Sequence, residues 1–254
     1  MAHTGRRVGL ARALSKLGYC SRSRACELIR HGRVTLNGRL RRDPEIPVNL
    51  ATDRIHVDGA AVASHRKLYL MLNKPRGLLT SAADERGRET IYSCFPLDLP
   101  WVAPVGRLDK ASEGLLLLTN DSECAARALA PKSHLEKTYH VQISGQPGPD
   151  IVRSLAKGVR TEAGFLRVRS ASILRQGARN TWLEITLDEG KNRHIRRMLE
   201  ALGIEVLRLV RVAIGPLVLS ALPKGTYREL AAEEKQALDL AMGQGTAQTR
   251  ARRR

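Results

Sequence analysis

Asp109 lies in the stretch Gly106-Arg107-Leu108-Asp109-Lys110-Ala111-Ser112-Glu113-Gly114-Leu115. Glycines bracket the turn at 106 and 114, and an unbroken apolar run, Leu115 to Leu118, follows. The pattern puts one carboxylate at the lip of a buried strand, with Arg107 and Lys110 beside it. A carboxylate so placed suits chemistry at an electron-poor centre, where it must stay ionised. A polar turn that merely enters a core strand has the same local pattern, so the reading depends on context. Two other segments carry reactive side chains. Lys137-Thr138-Tyr139-His140-Val141 sets Tyr139 in a strand-like run. Glu189-Gly190-Lys191-Asn192-Arg193-His194-Ile195-Arg196-Arg197-Met198 offers three arginines that share one helical face at i, i+3, i+4. That face points away from the Ile195, Met198, Leu199, Leu202 stripe, and spacing alone does not choose among the three.

The elements that must position these groups can be read from periodicity and breakers. Leu68 to Leu72 reads as a strand ending in the cationic turn Asn73-Lys74-Pro75-Arg76-Gly77. Leu115–Leu118 is a central strand, Ala125–Leu129 a short helix, and 137–143 another strand. Trp182 to Leu187 alternates as a strand does. A helix follows Asn192 and ends at Gly203, and Ile204 to Ile214 is a long strand. Residues 229–241 read as a last helix, with a disordered basic tail over 243–254. Strands and helices alternate without a βαβ rhythm, which predicts an α+β fold with a largely antiparallel sheet over 67–240.

A separate small module precedes it. Residues 8–17 and a segment capped by Ser21 read as two helices, and Asn37-Gly38 as a hairpin turn. Residues 60–67 read as a linker. The module, 5–62, is strongly basic: residues 1–42 hold ten arginines, one lysine and one acid. The net charge of the whole chain is +18 and its pI about 10.6, which points to a polyanionic partner. With the tail counted too, the body of the chain carries only about +4. Aromatics at 4% argue against a binder built on base-stacking platforms. The four cysteines, at 20, 26, 94 and 124, have no C-x-x-C spacing, so neither a zinc site nor a disulfide framework is expected, and reduced thiols in the cytoplasm are the simplest account. No apolar run approaches the ~20 residues that span a bilayer. The acid-free residues 1–26 read as part of the folded module rather than as a transit peptide.

Taken together and in order, these motifs resemble the RNA pseudouridine synthases, in the branch that modifies ribosomal RNA. The 189–198 segment matches the family's final arginine motif and 137–141 its basic-x-Tyr strand. Leu17-Gly18-Tyr19-Cys20-Ser21-Arg22-Ser23-Arg24 and Ile29 to Gly38 are similar to the RNA-binding module named for ribosomal protein S-four. The resemblance implies that Asp109 is the catalytic carboxylate, that Tyr139 lies against the target base, and that Arg196 pairs with Asp109 and keeps it charged. It further implies RNA contacts from Lys16, Ser21, Arg22, Arg24, Arg30 and Arg33 in the module, and from Lys74, Arg107, Lys137, Arg193 and Arg197 in the second domain.

The implied reaction detaches uracil from its ribose at nitrogen, turns it, and rejoins it through carbon. It needs no cofactor and no metal. The sugar gains positive character on the way, which an ionised carboxylate stabilises or captures. The target base must leave its stack, at a cost of a few kcal/mol. The expected partner is ribosomal RNA or a ribosome-assembly intermediate, met by a monomer. Large-subunit RNA is the expected target and small-subunit RNA the alternative. From other classes, a non-catalytic rRNA-binding or assembly protein would use the same basic module, and a nucleoside hydrolase would need a second acid or a positioned water.

Overall fold

A computed structural model describes the backbone of residues 7–81, 87–162 and 164–251, and the side chains of these as far as Gly243. The chain divides into two compact units. One comprises Met1–Tyr69 with Pro96–Ala103 and Leu118–Ala125; the other comprises Leu70–Phe95, Pro104–Leu117 and Ala126–Arg254.

In the first unit, helices Leu10–Lys16 and Arg22–Arg30 pack on a four-stranded sheet built around Val34–Leu36 and Ile55–Val57. Leu10, Leu14, Ile29, Val34 and Val57 form its core. Asn37 and Gly38 both take positive φ, 53° and 77°, as a tight hairpin between right-twisted strands requires. Ser21 caps the second helix by accepting from the Arg24 amide at 3.1 Å. The segment expected as a linker is tied down within this unit. The His65 amide donates to Leu17 O at 3.1 Å, and Asn120 bonds both the Leu68 amide (2.9 Å) and Arg66 O (2.8 Å).

The second unit is dominated by a mixed sheet. Its strands run in the order Ser170–Gln176, Asn180–Leu187, Lys137–Ser144, Val206–Ile214, Glu113–Thr119, Tyr69–Lys74, Tyr227–Glu229. Pairing is antiparallel from Ser170–Gln176 as far as Val206–Ile214, which then runs parallel to Glu113–Thr119. The α+β expectation holds. Helix His194–Ala201 buries Ile195, Met198 and Leu199, the expected stripe. Elements that no local signal announced include helix Asp150–Lys157, the hairpin Val159–Thr161 with Gly164–Leu166, and strand Ser170–Gln176. Pro147-Gly148-Pro149 reads as loop, and the helix behind it buries only Ile151 and Leu155, too short a stripe to declare itself. The last helix runs over Ala232–Ala251, so it enters the segment expected as a disordered tail, whose final residues 252–254 lie outside the described ones. Among the described residues no helix is long and apolar enough to cross a membrane.

Candidate active site

The turn that carries Asp109 is held by its backbone carbonyls. The Thr80 hydroxyl donates to Leu108 O at 2.7 Å. The Lys74 ammonium donates to Asp109 O at 3.3 Å and Ser112 O at 3.0 Å. The Gly77 amide donates to Lys110 O at 2.8 Å, and Arg196 Nη2 to Ala111 O at 3.2 Å. Five consecutive carbonyls thus meet donors that come from outside the turn, which fixes the backbone beneath Asp109 and leaves its side chain to the cleft. The strand that follows is equally constrained. Gly114 sits at φ 102°, and a Cβ there would lie 2.3 Å from Arg211 O, so no larger residue fits this parallel crossing.

Asp109 opens into a cleft of about 400 Å³, a volume suited to a nucleoside-sized group. Tyr139, Lys137, Arg107, Arg193, Arg196 and Arg211 line it with Asp109. Tyr139 is buried, and its cross-strand partner is Arg211. Burial pulls the Arg196 guanidinium below its ordinary pKa, with Arg193 acting in the same direction and Asp109 opposing. Burial likewise lowers Lys137, with Arg211 adding to the effect. The site is therefore crowded with cations around one carboxylate.

The arrangement departs from the sequence expectations in definite ways. Arg196 shares the cleft with Asp109 but makes no ion pair with it within 4.0 Å; its guanidinium is spent on Ala111 O and, at 3.4 Å, Val206 O. It acts on the carboxylate through the turn and through space. Lys74, expected at a phosphate, is fully buried at 0% exposure and also donates to Pro75 O at 3.1 Å, because strand Tyr69–Lys74 runs on beneath the turn. Burial lowers its pKa to about 8. Arg193 lies outside the helix as its N-cap, at φ 51°, and faces the cleft, whereas Arg197 bonds Asn192 Oδ1 at 3.2 Å and does not line it. The single shared face expected for the three arginines is thus split. Arg211 was missed: it looked like one more residue of a long strand, and only the strand register puts it beside Tyr139.

In the N-terminal module the predicted contacts also separate. Arg22 and Arg30 are exposed and form no ion pair among the described residues. Arg24 pairs with Glu27 at 2.9 Å, Arg33 clasps Asp58 with two bonds at 2.8 and 2.5 Å, and Lys16 meets Glu123 at 2.5 Å. Ser21 is occupied as a helix cap.

A sequence profile described as RNA pseudouridylate synthase matches residues 68–201, more than half of the chain and the segment that carries every element of this cleft up to the arginine helix. The chain belongs to the RNA pseudouridine synthase family. A profile for the S4 domain matches residues 8–55, the module with the basic helices. The synthase is 41% identical over 238 residues to an uncharacterized RNA pseudouridine synthase of Aquifex aeolicus, covering 93% of this chain and 95% of that one. It is 36% identical over 231 residues to the ribosomal large subunit pseudouridine synthase B of Bacillus subtilis, with 90% and 94% covered. A crystal structure of a pseudouridylate synthase superposes with a TM-score of 0.65 at 30% identity, over 91% of this chain and 99% of that one. The synthase is accordingly an isomerase: it moves the bond between ribose and uracil from nitrogen to carbon. The cleft suits that chemistry, since an isomerisation within one bound nucleotide calls for a pocket that holds a detached base against a fixed sugar.

Proposed function

We propose that this synthase isomerises a specific uridine of ribosomal RNA, in the large subunit, with Asp109, Tyr139 and Arg196 at the centre of the reaction. The observation that carries the reading is the clamped Asp109 turn facing Tyr139's cleft: a carboxylate fixed through its backbone, beside an aromatic ring in a pocket of nucleoside size. Asp109 faces the anomeric carbon, where it stabilises positive charge or bonds covalently. Tyr139 lies against the flipped base. Arg196 holds the turn and keeps positive potential beside the carboxylate. Arg107 and Arg193, at the cleft, and Arg22 and Arg30, on the N-terminal module, hold phosphates and set the docking position without reading sequence.

The choice of large-subunit RNA is supported by the name of the Bacillus subtilis relative, which is similar over nearly the whole chain. The S4 module favours a structured ribosomal RNA or assembly intermediate as partner, and we propose that the synthase meets it in the cytoplasm as a monomer. The test is to map pseudouridine in ribosomal RNA from cells with and without the gene. The expected result is loss of one site, or very few, in large-subunit RNA. Loss only in small-subunit RNA would overturn the subunit, and loss only in transfer RNA would overturn the substrate class.

A further inference from the structure

Arg211 is 5% exposed and has no carboxylate partner among the described residues. Its Nε–H donates to Leu115 O at 2.7 Å, while Nη2 is buried with no hydrogen-bond partner among the described residues. Lys137 is half-buried and also lacks an ion pair among the described residues; it feels the field of Asp188 without contacting it. Lys137 and Tyr139 are two apart on one strand and so share a face, and Arg211 stands directly across from Tyr139 on the next. A register shift between Thr138 and Tyr139, where Val212 is the extra residue, sets this alignment. A buried guanidinium without an acid is costly, and elsewhere the fold meets its buried charges with partners: three carbonyls surround the Lys74 ammonium. Glu113, in the neighbouring strand, is gripped by Arg208 at 3.1 Å and by Lys224. The Lys137–Arg211 pair is therefore an unfilled demand for negative charge at the buried end of the cleft.

What fills it follows from depth. A polynucleotide must keep its phosphates near the mouth, where the exposed Arg107 and Arg193 stand, because the chain continues on both sides. The base enters furthest and meets Tyr139, and so reaches the two cations. When the C1′–N1 bond breaks, its electron pair leaves with uracil, and the charge spreads to the ring oxygens. The base then turns, C5 bonds to C1′, and the proton on C5 is lost as N1 gains one. We propose that Lys137 and Arg211 receive the uracil oxygens and stabilise the negative charge that the base carries while it is detached. This rests on reading the cleft as the uridine site, and it assigns the cations to the leaving base rather than to RNA binding.

The experiment compares the full-length chain with Lys137→Met and Arg211→Met on large-subunit transcripts made with uridine or with 5-fluorouridine. Single-turnover loss of the N-glycoside is read by mass spectrometry of digested RNA, and affinity is measured in parallel. Fluorine makes the detached anion intrinsically more stable, so a variant that cannot stabilise it is helped. On uridine each variant should fall by roughly 10²–10³-fold, the usual loss of a preorganised charge-stabilising donor. RNA affinity should stay within about threefold, the loss on 5-fluorouridine should be at least about tenfold smaller, and Lys137→Arg should recover part of the rate. Equal losses on both RNAs would mean a structural role and overturn the proposal. A weaker affinity with a salt slope lowered by about 0.9 would mean phosphate contacts and overturn it as well. Lys137 is only half-buried, so its variant carries the test if Arg211→Met does not fold. Wild-type protein that forms no pseudouridine would sink the functional reading itself, a result distinct from either of these.

Discussion

Replacing Lys74 by methionine tests the clamp under the Asp109 turn. The change keeps the length and apolar stem of the side chain and removes three N–H donors, to Pro75 O, Asp109 O and Ser112 O. Asp109 O keeps the Ser112 amide at 2.9 Å, so two carbonyls are abandoned, at about 1–3 kcal/mol each. Against this, the wild type carries the cost of keeping an ammonium at 0% exposure. The fall of its pKa from 10.5 to about 8 corresponds to about 3 kcal/mol. Mid-range values leave the variant less stable by about 1 kcal/mol at pH 7. The pH dependence has a definite sign. Below pH 8 Lys74 is charged in both folded and unfolded chains and contributes no slope. Between pH 8 and 10.5 the unfolded chain binds more protons, so wild-type stability gains with pH from this group. The stability gap between wild type and variant should thus widen above pH 8. Denaturant titrations at pH 7 and 9.5, with single-turnover pseudouridine formation, make the assay. Turnover should drop by about 10²-fold as the turn shifts. A variant within about 0.5 kcal/mol of wild type, with unchanged turnover, would refute the clamp, and a gap that narrows above pH 8 would refute the buried ammonium.

Gly114→Ala should destabilise the chain by about 3 kcal/mol in thermal or chemical melts, because both its φ and the Arg211 carbonyl at 2.3 Å exclude a Cβ; a melting point unchanged by the substitution would contradict the close crossing. Arg196→Met removes the donor to Ala111 O and should lower turnover about 10²-fold while RNA affinity stays within a few fold, as checked by kinetics and filter binding. Arg22→Ala and Arg30→Ala should each reduce the salt slope of RNA binding by about 0.9, whereas Arg33→Ala, whose charge already serves Asp58, should change it by less than half as much. Equal slopes for all three would show that the intramolecular pair opens on binding.

Much of this arrangement was legible in the sequence where local physics decides. Leu115–Leu118 announced a buried strand, the Ile195 stripe a helix, Asn37-Gly38 a hairpin and Ser21 a cap. That Asp109 and Tyr139 share one site was implied only by the family resemblance, not by local pattern. What stayed hidden depends on partners far along the chain. Lys74 reads as a surface cation until carbonyls some 35 residues away surround it. Arg211 reads as a strand residue until register sets it opposite Tyr139. The parallel step between Val206–Ile214 and Glu113–Thr119 has no local signature, and neither does the choice of Ala111 O over the Asp109 carboxylate as the partner of Arg196.

On the proposed function, Asp109 performs the chemistry, while the exposed Arg107, Arg193, Arg22 and Arg30 hold the RNA. Asp109→Asn tests it most directly, because the clamp acts on the backbone carbonyls and leaves the exchanged side chain free. Wild type and variant are incubated with unmodified large-subunit transcript, and pseudouridine and RNA affinity are both measured. The variant should bind within a few fold of wild type and form no pseudouridine. Turnover above roughly one per cent of wild type, well short of the loss expected for a covalent or charge-stabilising group, would contradict the account.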